Sequence, residues 1–474
     1  MLNRLNFFGD FKKKLFFCGI GGASMLGLAQ LAKELGYTVI GSDSDPSKAT
    51  VKICTENQIK LYTVHCESNV IGCDVFIYSA AIQSTNPELV KAQKLGLSIL
   101  TRAEFLGMIS SEYQTSIAVS GTHGKSTTTQ MIYEIFKKCE RSPTLLGGAA
   151  SCKNGSYVSG SDSSIIYEAC EYNRSFLSFH PSLALILNIE KEHVDTYPTL
   201  LDAELAYFQF ASNSGTCILN LDSPICRKVG KQLIAKGGRV LYFSIDNPNA
   251  DLYCKNLRME TGEMTYTIVF KNGECVECNP RIRGLHNVSN ALAAALVGYE
   301  CGMNPRNIVK AIEEFDGILR RFEYIGSVNG ADVYDDYAHH PSEIIATLEM
   351  ASRLGYQRII CAFQPHTYSR TYAFFDEFCS AFKKCDEVIF ADIYPARETN
   401  VYGVSSQDLA KNTPNAIYIQ SPEMICKHLI TKAKKSTLII TMGAGKMNEV
   451  ARFLTEMNNK GNNFKNTDQG FEEN

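Results

Sequence analysis

Apolar runs of strand length alternate with helically spaced apolar positions through residues 1–113. Lys14–Cys18 reads as a strand, and Gly19-Ile20-Gly21-Gly22 then opens a helical stretch over 25–35. A strand over 37–40 follows and ends at Gly41-Ser42-Asp43. Val75–Tyr78 and 98–100 continue the series, and the alternation predicts a parallel sheet with right-handed crossovers. Gly19-x-Gly21-x-x-Ser24 lacks the third glycine of the dinucleotide fingerprint, although Asp43 stands where its ribose-binding acid would. The turn suits a diphosphate at a helix N-terminus without specifying NAD; a glycine turn used only for tight packing is the other reading.

The rhythm restarts at Thr115–Ser120, followed by Gly121-Thr122-His123-Gly124-Lys125-Ser126-Thr127 and a helical stretch over 131–138. The strict phosphate-loop spacing fails, because Val119 stands five positions before Gly124, but the physics survives. Glycines let backbone N–H groups wrap phosphate oxygens, Lys125 can neutralise β/γ charge, and Ser126 or Thr127 can hold Mg²⁺. A nucleoside triphosphate site is expected here. Strands over 165–168 and 183–188 then run into Glu168, Glu171 and Glu190-Lys191-Glu192-His193. Sites of open α/β sheets lie beyond the carboxyl ends of strands, so these groups can converge on the γ-phosphate with a metal. Glu171 is chemically apt for Mg²⁺, whereas His193 reads equally as a ligand or as a cap or core histidine.

A third run begins at Arg320-Arg321, a pair readable as solvated charges or as a phosphate clamp. Asp335-Asp336-Tyr337-Ala338-His339-His340-Pro341 follows, with Pro341 opening a helix to residue 350. Strand patterns over Arg358–Phe363, 387–391 and 437–441 complete a second doubly wound unit. The expected fold is α/β in three domains: a Rossmann-like N-terminal domain, a P-loop-type ATP-binding central domain and a Rossmann-like C-terminal domain. Their expected bounds are 1–113, 114–321 and 322–458, with a polar, disordered tail over 459–474.

Composition narrows the class further. The chain has 474 residues, 45% hydrophobic and 20% charged, with 47 basic against 50 acidic side chains. That balance belongs to a globular protein and lacks the basic field of a general nucleic-acid binder. No apolar run approaches a bilayer span, and Gly19 and Gly21 cut short the apolar stretch after Lys12-Lys13-Lys14, so a cytoplasmic location is expected. The 17 cysteines read as reduced, buried small hydrophobes. Cys275-Val-Glu-Cys278 lacks the second pair of a structural zinc site and is expected on a hairpin's return strand after Lys271-Asn272-Gly273.

Taken in order, these strings resemble the ATP-dependent Mur ligases of peptidoglycan synthesis. The resemblance rests on Gly19-Ile-Gly-Gly-Ala-Ser-Met25, Gly121-Thr-His-Gly-Lys-Ser-Thr127, Asn188-Ile-Glu-Lys-Glu-His193, Gly284-Leu-His286-Asn287-Val-Ser-Asn290, Arg320-Arg-Phe-Glu323, Asp335-Asp-Tyr-Ala-His-His-Pro341 and Phe363-Gln-Pro-His-Thr-Tyr-Ser-Arg370. It covers nearly the whole chain short of the polar tail. The last two strings are the narrowest and point to the alanine-adding branch or to enzymes that recycle muropeptides.

The resemblance implies ATP, Mg²⁺, UDP-N-acetylmuramate and L-alanine, joined at the lactyl carboxylate through an acyl phosphate; a peptide in place of alanine is the alternative. It implies that Gly19, Gly21 and Gly22 receive the UDP diphosphate, with Ser42, Asp43 and Ser79 nearby. The loop residues Gly121, Thr122, His123, Gly124, Lys125, Ser126 and Thr127 would hold the ATP phosphates, Ser126 with the first metal. Glu171 and His193 would bind metal beside the acyl phosphate, with Glu168 as the competing assignment. His286, Asn287 and Asn290 would reach the adenine, and Arg321 would clamp phosphates from a hinge at 320–324. Asp336, Tyr337, His339, His366 and Arg370 would line the amino-acid side, with the base left open among His339, His366 and Asp336. Cys170, Lys446 and Thr367 depart from the residues most common in the family at their positions.

Overall fold

The computed structural model describes residues 13–461 apart from 152, 194–195, 261–262 and 397; the expected tail beyond 461 lies outside the described residues. Among the described residues three sheets form. The first is all parallel, in the order Lys60–Tyr62, Thr38–Ser42, Lys14–Cys18, Val75–Tyr78, Ser98–Thr101. Its order reverses at Lys14–Cys18, which leaves a crevice at that strand's carboxyl end, where the Gly19 turn sits.

In the second sheet Thr115–Ser120 lies between Leu183–Ile186 and Ser164–Glu168, all parallel. Thr216–Asn220 and Val240–Ser244 extend it in parallel, and Glu263–Val269 with Cys275–Cys278 closes one edge as an antiparallel pair. Cys278 lies opposite Tyr266 on that return strand, and every described cysteine is a free thiol. The two sheets share one buried apolar cluster, to which Leu15 and Phe17 contribute from the first and Ala118, Ile186 and Leu219 from the second. Across it, Tyr157 Oη and Ser159 Oγ donate to the Glu34 carboxylate at 2.7 and 2.5 Å.

By internal contact the chain falls into two compact units: one ends at Leu257 and resumes over Thr265–Asp316, and the other takes Arg258–Met264 and runs on from Gly317. The second unit is built on a sheet ordered Glu323–Val328, Ala331–Asp336, Thr437–Met442, Arg358–Phe363, Glu387–Phe390, Ala416–Tyr418. Only its first pair is antiparallel. The division at Asp316 and Gly317 precedes the expected 320–324 hinge, and Glu323 already begins a strand of the second unit. The final helix, Met447–Gly461, runs past the expected start of the tail because Met447, Val450, Ala451 and Leu454 bury one apolar face. No described helix is long and apolar enough to cross a membrane.

Candidate active site

At the first glycine turn the backbone is folded around one carbonyl. The Gly19 and Ile20 N–H groups both donate to Ser42 O, at 2.8 and 3.0 Å, and the Gly21 N–H donates to Asp43 Oδ2 at 2.8 Å. A Cβ on Gly21 would lie 2.6 Å from that same oxygen, so any side chain here would displace the Asp43 carboxylate from the turn. Gly22 precedes the helix Ala23–Glu34 without a side-chain cap, which leaves first-turn N–H groups able to meet an anion. Ser42 serves the turn through its carbonyl, since its buried hydroxyl donates instead to Glu88 Oε2 at 2.6 Å. Ser79 borders the turn, with Oγ 3.1 Å from where a Cβ on Gly19 would stand.

The second glycine loop joins Thr115–Ser120 to the helix Lys125–Lys138, which starts earlier than the apolar pattern suggests. Lys-Ser-Thr-Thr-Thr has no helical apolar signal, but Gly124 at φ 84° turns the chain directly into the first turn. A Cβ there would stand 2.4 Å from Asn290 Oδ1, so Asn290 packs against the loop backbone itself. Asn290 Nδ2 donates to Asn287 Oδ1 at 3.4 Å, and Asn287 Nδ2 donates to Arg283 O at 2.7 Å. His286 is exposed on the same opening turn of Leu285–Glu300. Asn188, absent from the expected site, braces the loop: its Oδ1 accepts from His123 N at 2.8 Å and its carbonyl from Thr122 N at 3.1 Å. Thr122 Oγ1 in turn accepts from Glu190 N at 2.9 Å. The sequence signal for Asn188 is its place at the head of Asn188-Ile-Glu-Lys-Glu-His193, just past the strand Leu183–Ile186.

Lys125 is held in the loop by its ammonium, which donates to the carbonyls of Gly121 and Thr122 and to Glu171 Oε2, the last at 3.0 Å. His193 Nε2 lies 3.5 Å from Glu171 Oε1 on the other side. His193 adopts φ 51°, packs its ring 5.0 Å from Tyr172, and its carbonyl accepts from Thr196 N and Tyr197 N. Burial pushes the Glu171 carboxyl up, but Lys125 and His193 outweigh it and hold it below the usual carboxylate range. Burial likewise pulls Lys125 down, and Glu171 more than restores it, so both stay charged. Glu168 turns away to accept from Gly148 N at 2.5 Å, which leaves Glu171 as the carboxylate beside Lys125. Ser126 and Thr127 follow on the first helical turn, the former partly exposed and the latter buried.

The second unit gathers its polar groups at the carboxyl ends of Ala331–Asp336 and Arg358–Phe363. Two arginines that look equivalent in sequence separate here. Arg320 binds Asp335 Oδ2 at 3.1 Å and the carbonyls of Gly443 and Gly445 at 2.8 and 3.1 Å, while Arg321 reaches Glu343 Oε1 at 3.3 Å. Their guanidinium groups lie 4.9 and 5.3 Å from the Tyr337 ring centroid. His339 Nδ1 is 2.9 Å from Tyr337 O, and its ring meets that of His366 edge-on at 5.8 Å. His366 Nδ1 is 3.1 Å from Arg370 Nη1, and its ring stacks on Tyr394 at 5.6 Å. Thr367 occupies φ 66° and donates its N–H to Tyr394 O at 2.9 Å.

Asp336, one of the expected base candidates, anchors the loop around it. Its two oxygens accept from Phe322 N and Ala338 N at 2.8 and 2.7 Å, and it is 5% exposed. Burial pushes its pKa from 3.8 up to about 6, more than Arg321 pulls it down. The folded chain therefore keeps a proton that the unfolded chain releases, so this stabilisation is complete below pH about 4 and is lost as pH rises through about 6. The difference in Tm between the native chain and Asp336→Asn is expected to shift against the native chain across that window in thermal melts. A pH-independent difference would remove Asp336 as its source.

Three family models match this chain: "Mur ligase family, catalytic domain" over 14–114, "Mur ligase middle domain" over 119–298 and "Mur ligase, glutamate ligase domain" over 320–445. A UDP-N-acetylmuramate–L-alanine ligase of Acetivibrio thermocellus is 41% identical over 93% of the chain and 95% of that relative. Its counterpart from Caldicellulosiruptor saccharolyticus is 40% identical over 94% of the chain and 98% of that relative. Among solved structures, a UDP-N-acetylmuramate-alanine ligase from Thermotoga maritima superimposes with a TM-score of 0.80 at 24% identity, covering 94% of the chain and 99% of its own. A murein peptide ligase from Psychrobacter arcticus does so with a TM-score of 0.70 at 22% identity, covering 93% and 98%.

Proposed function

Because the chain belongs to the Mur ligase family, we propose that it joins L-alanine to the lactyl carboxylate of UDP-N-acetylmuramate, at the expense of ATP, in peptidoglycan precursor synthesis. The observation that carries this reading is the near full-length identity to alanine-adding ligases of that name. We take 1–113 as the UDP-sugar domain, 114–321 as the ATP domain and 322–458 as the domain that presents the amino acid.

A carboxylate is a poor acylating group, so one oxygen must first become a leaving group. The γ-phosphoryl group of ATP moves to the lactyl carboxylate, and two anions meet in that step. Lys125, charged and fixed in its loop, compensates that build-up of charge. The Ser126 hydroxyl and the charged Glu171 carboxylate, with His193 beside it, make a mostly hard donor set that suits Mg²⁺. Bound there, Mg²⁺ would offset phosphoryl charge.

The alanine amine then attacks the acyl phosphate carbonyl, expelling phosphate and losing a proton. We assign the two histidines different tasks, a reading that their ring partners support. His339, whose Nδ1 meets the Tyr337 carbonyl at 2.9 Å and Glu343 Oε2 at 3.4 Å, is taken as the base for the amine's proton through Nε2. His366, whose Nδ1 lies 3.1 Å from Arg370 Nη1, is taken with Arg370 to meet the alanine carboxylate.

Phosphate release from ATP and Mg²⁺ tests this directly, with UDP-N-acetylmuramate, L-alanine, glycine, L-serine or the tripeptide L-alanyl-γ-D-glutamyl-meso-diaminopimelate supplied or omitted in turn. Release that requires both the UDP-sugar and L-alanine is expected. A preference for the tripeptide would reassign the chain to muropeptide recycling, and release indifferent to the UDP-sugar would overturn the ligase reading.

A further inference from the structure

Directly beneath the first glycine turn, three chemically different donors from three separate elements converge. Cys18 ends the strand Lys14–Cys18, His65 lies in the loop after Lys60–Tyr62, and Glu88 is in the first turn of Pro87–Lys94. Their ligating atoms all fall within 4.8 Å of one another. Cys18 Sγ is 3.2 Å from Glu88 Oε2, His65 Nδ1 is 2.7 Å from the same oxygen, and sulfur and nitrogen are 3.9 Å apart. We infer that Cys18, His65 and Glu88 form a binding site for a borderline-soft divalent cation of the zinc type.

The crowding on one oxygen points to a cation. Glu88 Oε2 is approached by Ser42 Oγ at 2.6 Å as well as by His65 and Cys18. A carboxylate oxygen offers two lone pairs in its plane, so three protons cannot all be well placed on it. A single cation among the sulfur, nitrogen and oxygen satisfies all three at once.

Geometry and charge agree with that choice. Tetrahedral zinc, with bonds of about 2.0–2.3 Å, sets its donors about 3.3–3.7 Å apart, so binding would move the imidazole away from Glu88, now 2.7 Å off, and toward the sulfur, now 3.9 Å off, with the sulfur–oxygen distance of 3.2 Å nearly unchanged. Ser42 Oγ, 3.2 Å from His65 Nδ1, stands at the fourth position, or a water does so beside it. The other Glu88 oxygen is already held by Asn69 Nδ2 at 2.7 Å and Cys66 N at 3.4 Å, which orients Oε2 toward the cluster in the manner of an outer shell. Glu88 is wholly buried, and among the described residues no lysine or arginine side chain is bonded to it. A dication with one thiolate, one carboxylate and a neutral imidazole sums to zero charge there, the thiol proton leaving to solvent. His65, with its side chain 19% exposed, provides the route of entry. A sulfur donor favours zinc or cobalt over the Mg²⁺ of the phosphate site. The inference does not depend on the ligase reading.

Cobalt(II) titration of the reduced, metal-stripped full chain tests it, because a thiolate on tetrahedral cobalt gives charge-transfer and intense visible bands. One equivalent is expected to saturate these bands, with Zn²⁺ abolishing them and excess Mg²⁺ leaving them unchanged. Cys66→Ser, at the neighbouring exposed cysteine, is expected to keep them. Cys18→Ser is expected to lose the charge-transfer band, and His65→Ala to weaken binding about 10-fold or more. Absence of a saturable thiolate band in the native chain would overturn the proposal without recourse to any variant. A band that survives Cys18→Ser would overturn it equally.

Discussion

Lys125→Ala is expected to lower turnover by about 10³-fold or more while UDP-N-acetylmuramate still binds. Preorganised charge aimed at a developing transition state contributes about 10²–10³ from a single donor, and phosphoryl transfer between two anions relies on such charge almost entirely. Lys125 reaches Glu171 and two loop carbonyls, so its removal also leaves the Glu171 carboxylate, 3% exposed, facing His193 alone. Binding at the Gly19 turn uses a different loop on a different sheet. Steady-state phosphate release, paired with calorimetric titration of the UDP-sugar, separates the two effects. Turnover within about 10-fold of the native enzyme would take Lys125 off the phosphates. Loss of UDP-sugar binding together with turnover would instead overturn the division of substrates between the two loops.

Arg320→Ala is expected to produce the largest loss of stability among single substitutions near the site. Its guanidinium satisfies Asp335, which is fully buried, and the carbonyls of Gly443 and Gly445 from the end of another strand. Removing one partner of such a pair leaves an uncompensated buried charge, at a cost of about 3–5 kcal/mol. Arg320→Lys should recover little, because an ammonium cannot reproduce the fork that meets a carboxylate and two carbonyls together. Denaturant unfolding checks both variants. A change below about 1 kcal/mol in the alanine variant would mean that Thr441 Oγ1, 2.7 Å from Asp335 Oδ1, satisfies the carboxylate by itself.

The strands that read most clearly in sequence are those buried on both faces. Lys14–Cys18, Thr115–Ser120 and Arg358–Phe363 have the expected bounds, because continuous apolar runs between turn residues admit little else. Lys60–Tyr62 is too short and too polar at its start to show, and it forms by pairing with Thr38–Ser42. The start of Lys125–Lys138 is hidden for the opposite reason: its hydroxyl-rich first turn has no apolar face to betray it. At the candidate site, residue types and spacing suffice to nominate Lys125 and to make His193 a candidate, whereas His366 enters only through the family resemblance. They leave Glu168 and Glu171 equivalent, since two carboxylates at the end of one strand differ only in what the rest of the chain brings to them. Gly148 meets one and Lys125 the other. Arg320 and Arg321 pose the same problem, resolved only by the fold of 443–445 around the first.

Glu34, at the end of the helix that follows the first glycine turn, receives Tyr157 and Ser159 from the sheet that carries the second, over a single apolar core. The family models divide the chain near the start of the second sheet, one ending at 114 and the next beginning at 119 within Thr115–Ser120. Cooperativity follows the core instead. The sheets of Lys14–Cys18 and Thr115–Ser120 should melt in one calorimetric transition, and a lesion in either would lower the melting point of both. Residues 14–114 expressed alone would present to water the face that normally meets Leu146 and Tyr167, and would behave as an aggregation-prone half rather than as a small domain.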